Sequence, residues 1–103
     1  MQPTHGGRLS GDLFEECAGW IWEQLQEQGY FLSGELIELI LVLERDMGIH
    51  ARPVNEISPT IFAELERRGI VSVPAPISEI HVSEVLYWED EFLGMAQIPR
   101  AES

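Results

Sequence analysis

The sequence contains few of the features that mark secreted, disulfide-bonded or membrane-spanning proteins. Cys17 is the single cysteine among 103 residues, so the chain forms no intrachain disulfide, which fits a reducing compartment. The longest apolar run, LILVL at residues 39–43, is much shorter than the ~20 residues of a membrane-spanning helix. The first ten residues are polar and lack the apolar stretch of a secretory signal. These absences predict a cytoplasmic protein with no membrane partner.

Basic residues are also scarce. Six of them face 18 acidic residues, which gives a formal net charge of −12 and a pI near 4.4. Nucleic acids and anionic membranes attract cationic proteins, so this charge disfavours both as partners. It favours a basic protein or a cation if the acidic surface binds anything, and otherwise it keeps the protein soluble.

No pattern of catalytic residues is present. The three histidines, His5, His50 and His81, show no spacing with serine and acid that indicates a triad, and the GxGxxG, P-loop and CxxC motifs are absent. Cys17 falls on the apolar face of a predicted helix, which indicates a small core residue and not a nucleophile. The sequence therefore predicts a non-enzymatic protein without a cofactor.

Apolar residues recur with the spacing of an α-helix along most of the chain. They make up 45% of its residues, which is typical of a folded domain. We expect a mainly α protein, a compact bundle of about four helices, formed by a single domain at 11–98 between a flexible N-terminal tail at 1–10 and a C-terminal tail at 99–103. Start signals, apolar periods and stop signals place these helices at 12–28, 34–47, 58–68 and from Ser78 or Ser83 to about Ala96. The second helix has an unusually wide apolar arc, which indicates either a central position or a face shared with another chain, and we favour the central position.

Residues 70–82 are ambiguous. The β-branched residues at 70–73 favour a short strand, and the two following prolines interrupt any regular ladder. The stretch 79–82 fits either a returning strand or the first turn of the fourth helix. A short β-hairpin between the third and fourth helices is therefore an open alternative.

Two acidic residues lie on apolar faces. On helical wheels, Glu44 falls among the apolar residues of the second helix and Glu89 among those of the fourth. Burial of an unpaired charge reduces the stability of the fold by roughly several kcal/mol, so each carboxylate needs a partner. Arg45, Arg52 and Arg100 are the candidate partners, with backbone N–H groups as an alternative.

A functional alternative for these inward carboxylates is a metal or small-ligand site with His81 or His50. Carboxylate sites in helical bundles use a Glu-x-x-His pair. Here the order is reversed, because His81 precedes Glu84. The sequence thus leaves a carboxylate metal or small-ligand binding protein as a second alternative, and predicts no metal.

Four large side chains lie at or beyond the edges of the predicted core faces: Trp20, Trp88, Tyr87 and Met95. An exposed aromatic and methionine patch with acidic neighbours suits a basic or amphipathic helical partner, or a second copy of the chain in a homodimer. Alternatively, these side chains cover one another. The first interpretation predicts a small, acidic, non-catalytic protein–protein interaction module or adaptor.

Three helices, a hairpin at 70–82 and a C-terminal helix, with LERRGIV leading into the hairpin, resemble a winged-helix protein in outline. That resemblance implies a transcriptional regulator that binds DNA, and it is the alternative function. A connector of about ten residues between the second and third helices is longer than the three or four of a helix-turn-helix. The net charge of −12 also opposes DNA binding.

Overall fold

The protein is helical throughout the part that the computed structural model describes, which comprises residue 9, residues 11–70 and residues 77–103. Within these residues there is no strand. Four α-helices are followed by a 3₁₀ turn at Arg100–Glu102, and their bounds are α1 Gly11–Gln28, α2 Gly34–Asp46, α3 Val54–Arg67 and α4 Glu79–Ala96. The predicted four-helix bundle is confirmed.

Helices α2 and α4 form the centre of the bundle, because each packs against all three other helices. This confirms the central position predicted for α2. The fully buried apolar side chains come from every helix: Cys17, Ile21, Leu25, Ile37, Ile40, Leu41, Ile57, Ile61, Leu65, Val82, Val85 and Leu86. No helix in the described ranges is long and apolar enough to cross a membrane.

Local signals set the ends of α1 and α2. Ser33 caps α2, and its hydroxyl oxygen accepts a hydrogen bond from the N–H of Leu36 at 3.1 Å. Gly29 follows α1 and Gly48 follows α2, with φ of 85° and 71°, a left-handed conformation that glycine adopts without strain. The predicted boundaries of both helices therefore agree with the structure to within one residue.

The predicted start of α3 was wrong by four residues. Ser58 and Pro59 resemble an N-cap and a first helical residue, but the helix begins at Val54 after Pro53, whose carbonyl accepts the N–H groups of the first turn. Ser58 is buried inside the helix, where its hydroxyl accepts a hydrogen bond from Ser83 of α4 at 2.8 Å. The side chain of Ser58, which the sequence predicted to cap α3, therefore contacts α4 instead. Pro59 lies inside α3.

Of the two alternatives left open for residues 79–82, the structure shows the helix and not the returning strand of a hairpin, because Glu79 to Val82 form the first turn of α4. Ser78 is the N-cap, and its backbone N–H donates to Nδ1 of His81 at 2.9 Å in a reciprocal capping arrangement. The remaining hairpin residues, 71–76, lie outside the described residues.

The segment 99–103 was predicted to be a tail, but its described residues fold back onto the bundle. The chain leaves α4 through Gln97, which has a φ of 59°. Arg100 begins the 3₁₀ turn, and Ser103 accepts a hydrogen bond from the N–H of Leu9 at 3.2 Å. Side chains of this segment reach the polar centre of the protein, which the sequence pattern did not reveal.

Candidate functional site

Glu44 and Glu89 are both completely buried. The helical wheels predicted that these two acids point inward, and α2 and α4 place them so. Their burial requires charged or hydrogen-bonded partners, since desolvated carboxylates are costly. Arg45 and Arg100 provide them, while the third candidate, Arg52, is exposed.

The four side chains form a closed ring in which acids and bases alternate. Arg45 donates to Glu44 at 3.1 Å and to Glu89 at 2.7 Å. Arg100 donates to the other oxygen of Glu44 at 2.9 Å and to the other oxygen of Glu89 at 2.6 Å. Each arginine therefore bridges both glutamates, and each carboxylate oxygen accepts one guanidinium N–H. We call these four side chains the arginine–glutamate ring.

The guanidinium of Arg45 uses all five of its N–H groups. Besides the two glutamates, it donates to the carbonyl oxygen of Leu41 at 3.0 Å and to the carbonyl and hydroxyl oxygens of Ser103 at 3.1 and 2.9 Å. Five is the full donor capacity of arginine. Ser103 thereby attaches the segment after α4 to α2.

Arg100 is equally saturated. Its Nε donates to Asp90 at 2.5 Å, and its terminal nitrogens donate to the carbonyl oxygens of His50 at 2.7 Å and Leu86 at 3.5 Å, in addition to the two glutamates. The contact with Leu86 is long and therefore weak. Because every donor of both arginines is occupied, the ring has no free group with which to bind a ligand.

The two carboxyl groups differ in their affinity for a proton. Burial, together with the adjacent Glu89 carboxylate, raises the pKa of Glu44 from its ordinary 4.5 to about 9. Burial alone would also raise the pKa of Glu89, but the interaction with Glu44 and the charges of Arg100 and Arg45 hold it below its ordinary value. The guanidinium contacts of Glu89 are the shorter ones, as charge-assisted hydrogen bonds to an ionised group are.

The charges around the two glutamates balance when Glu44 is neutral. With Glu89 ionised and Asp90 bound to Arg100, two negative charges balance the two guanidinium groups. Glu44 is then free to keep its proton inside the protein. Counted together with Asp90 the cluster is neutral, and every guanidinium donor of the arginine–glutamate ring has an acceptor.

Cys17 lies next to this region and is completely buried. Burial, reinforced by the negative charges of Glu89 and Glu44, raises the pKa of its thiol to about 12. Only a thiolate is a good nucleophile. The interpretation of Cys17 as a small core residue is confirmed by its burial.

The histidines that the sequence considered as metal ligands have other environments. His81 accepts the capping hydrogen bond from Ser78. The carbonyl oxygen of His50 accepts a hydrogen bond from Arg100, and the buried Nδ1 of His50 has no hydrogen-bond partner among the described residues. In the same part of the chain, no three His, Cys, Asp or Glu side chains converge as a metal site requires.

Two of the four predicted partner-binding residues pack against each other. Trp20 of α1 meets Trp88 of α4 edge to face, with ring centroids 5.6 Å apart, and Phe92 lies 6.1 Å from Trp20. Tyr87 packs edge to face on the outer side of Trp88 at 5.0 Å. Both tryptophans are half-buried, and the α1–α4 contact covers part of each ring.

Tyr87 and Met95 are largely exposed, at 51% and 63%. Ile80 is exposed to 62% and was missed, because the sequence left open whether residue 80 is helical. Once α4 begins at Glu79, the spacing of seven and eight residues places all three on one face. We call Ile80, Tyr87 and Met95, with Glu84 and Glu91 between them, the α4 stripe.

Comparison of this chain with protein-family models, with curated proteins and with solved structures found no match.

Proposed function

We propose that this protein is a small, acidic, non-catalytic interaction module that binds a basic amphipathic helix of another protein along the α4 stripe. The observation that carries this proposal is the exposure of Ile80, Tyr87 and Met95 on the face of α4 opposite the core. Exposed apolar side chains aligned along one face of a helix are the anchors by which helices pack against each other. Trp88 adjoins the stripe and supports Tyr87 through their edge-to-face contact.

The spacing along α4 suits a helical partner. Apolar side chains at i, i+7 and i+15 form a line along one side of the helix, and Glu84 and Glu91 occupy the turns between them. A partner helix with apolar residues at the same spacing and with lysine or arginine beside them would match both features. Its charge would also accelerate association with a protein of net charge −12.

The same charges favour a different protein over a second copy as the partner. If two α4 helices paired, the carboxylates of Glu84 and Glu91 would approach those of the other copy. Facing like charges oppose association. A homodimer is therefore the less favoured occupant of the α4 stripe.

The positions of the cations favour a protein partner over DNA. Arg67 at the end of α3 and Arg68 directly after it both bind Glu64 of α3, and Arg45 and Arg100 are used in the arginine–glutamate ring. Among the described residues, only Arg52 has no carboxylate partner. Phosphate binding needs several free cations on one surface.

The test is affinity capture from the source lysate after nuclease treatment, with three versions of the protein as bait. We compare the wild type, the double variant Ile80→Ser/Met95→Ser, and the control variant Phe31→Ser. Phe31 is the matched control because it is 72% exposed and lies outside α4, in the connection between α1 and α2. The captured protein is then produced pure, and its Kd for each bait is measured by calorimetry.

We expect the wild type and the control to bind the same basic protein, and the double variant to lose at least tenfold in affinity. Two buried apolar anchors of this size contribute about 1.5–3 kcal/mol each, which exceeds the 1.4 kcal/mol of a tenfold change. Equal binding by all three baits would remove the α4 stripe from the proposal. Capture of nucleic acid alone would support the winged-helix alternative, and a dimer of the purified wild type in sedimentation would support self-association.

A further inference from the structure

A groove of about 330 Å³ lies between α1 and α2, and none of its lining residues belongs to the α4 stripe. Its α1 side is formed by Glu15, Ala18, Gly19 and Trp22, and its α2 side by Gly34 and Glu38. We propose that this groove binds an arginine side chain presented by a basic segment of another protein. We call it the α1–α2 groove.

The walls of the groove match the two chemical parts of arginine. Trp22 is 41% exposed and presents indole surface, and Ala18 contributes an apolar floor. A guanidinium group stacks on an indole ring, and the alkyl stem packs on apolar surface. Glu15 and Glu38 stand on opposite sides, one from each helix, where they can accept the guanidinium N–H groups.

The charge around the groove is uncompensated. Helix α1 contains five acidic residues and no basic residue. The only basic residue of α2 is Arg45, whose donors are all taken by the arginine–glutamate ring and its neighbours. Within the described residues, neither Glu15 nor Glu38 forms an ion pair. A cation from outside the chain would therefore meet an unbalanced negative surface.

Gly19 keeps the groove open. It lies in the middle of α1, where glycine is less favourable than almost any other residue. Its φ is not in the left-handed region, and a Cβ placed on it would have nothing within 4 Å. Neither backbone conformation nor packing within the described residues requires glycine here, and the missing side chain leaves its space to the groove.

Other occupants fit less well. A second copy of this chain would bring more carboxylates to the acidic rim, and a nucleic acid would bring phosphates. A divalent cation would find only the two carboxylates of Glu15 and Glu38, which is fewer than the six to eight oxygen ligands of calcium. An arginine uses both the apolar and the acidic parts of the groove.

The probe for this proposal is a capped Ala-Arg-Ala tripeptide, titrated into ¹⁵N-labelled full-length protein and followed by NMR. The control peptide replaces arginine by citrulline, which keeps the shape of the side chain and removes its charge. We expect saturable shifts of the Gly19 and Gly34 amide signals and of the Trp22 indole N–H signal with the arginine peptide. The citrulline peptide should produce shifts several-fold smaller, and 0.5 M salt should weaken binding of the arginine peptide.

Protein variants then separate the groove from the general acidity of the surface. Gly19→Leu fills the groove and should abolish the saturable shifts. Its matched control is Gly94→Leu on α4, another helical glycine with nothing within 4 Å of its Cβ position, which should bind as the wild type does. Both variants should unfold at or above the wild-type temperature, since leucine favours helix more than glycine. Glu15→Gln and Glu38→Gln should each weaken binding about two- to fivefold.

Three results would each overturn the proposal. The first is equal binding of the arginine and citrulline peptides. The second is unsaturable shifts spread over all exposed acidic residues. The third is wild-type binding by Gly19→Leu. The proposal does not depend on the α4 stripe, because its variants and its probe leave Ile80, Tyr87 and Met95 unchanged.

Discussion

Replacing Arg100 by methionine tests the role of the arginine–glutamate ring most directly. The change removes a guanidinium that donates to Glu44, Glu89 and Asp90 and keeps a side chain of similar length. It leaves two completely buried carboxyl groups with Arg45 as their only cation. Loss of one member of a buried ion pair costs about 3–5 kcal/mol.

That loss is large for a domain of this size, whose total free energy of unfolding is about 5–15 kcal/mol. We therefore expect Arg100→Met to lower the free energy of unfolding by about 3–5 kcal/mol, and the unfolding temperature by more than about 10 °C. The assay is urea unfolding at pH 7 followed by far-UV circular dichroism. Arg68→Met is the control, because Arg68 makes an exposed pair with Glu64 and should change the midpoint little.

A combined replacement separates lost charge balance from lost packing. When Glu44 and Glu89 are changed to leucine together with Arg45→Met and Arg100→Met, no buried charge is left without a partner. Replacement of a whole buried ion network by apolar residues is often neutral or stabilising. The combined variant should therefore be more stable than Arg100→Met alone. A loss below about 1 kcal/mol for Arg100→Met would refute the reasoning, since removal of a buried partner costs about 3 kcal/mol or more.

Four further predictions concern single groups. Glu44→Gln should destabilise less than Glu89→Gln at pH 7, because an amide resembles the protonated carboxyl of Glu44 but removes the charge of Glu89; equal losses in urea unfolding would contradict this. Because the pKa of Glu44 is raised on folding, protonated Glu44 stabilises the fold fully below the pKa of the unfolded chain, about 4.5. This contribution is lost as the pH rises from 4.5 to about 9. Glu44→Gln should therefore flatten the pH dependence of stability across that range. Cys17, with its pKa raised to about 12, should react with iodoacetamide at pH 8 only at the rate of unfolding, and fast labelling of the native protein would show that its burial is incomplete. Ser33→Ala should lower the free energy of unfolding by about 1 kcal/mol, because the Leu36 N–H loses its capping acceptor, whereas Ser33→Asp should retain most of the stability.

Part of the site could be predicted from the sequence because it depends on helical periodicity. The wheels placed Glu44 and Glu89 inward, and the requirement for partners reduced the candidates to three arginines, of which Arg45 and Arg100 are the two used. The wheels also placed Trp20 off its core face, but they could not show that Trp88 of a distant helix covers it. The groove beside Trp22 was not recognised, although a glycine at position 19 in the middle of a helix was a signal for it.

The features that the sequence by itself determines depend on local interactions. They are the four helices, the cap at Ser33, the end of α2 before Gly48, and the placement of Glu44 and Glu89 on apolar faces. These features involve residues within a few positions of one another, so their energies can be read from spacing. Contacts between distant segments decided the rest. Ser58 meets Ser83 instead of capping α3, and Arg100 reaches Glu44 across 56 positions of chain. Such contacts exist only after the helices pack, because packing excludes water and makes each buried polar group depend on a partner from elsewhere in the fold.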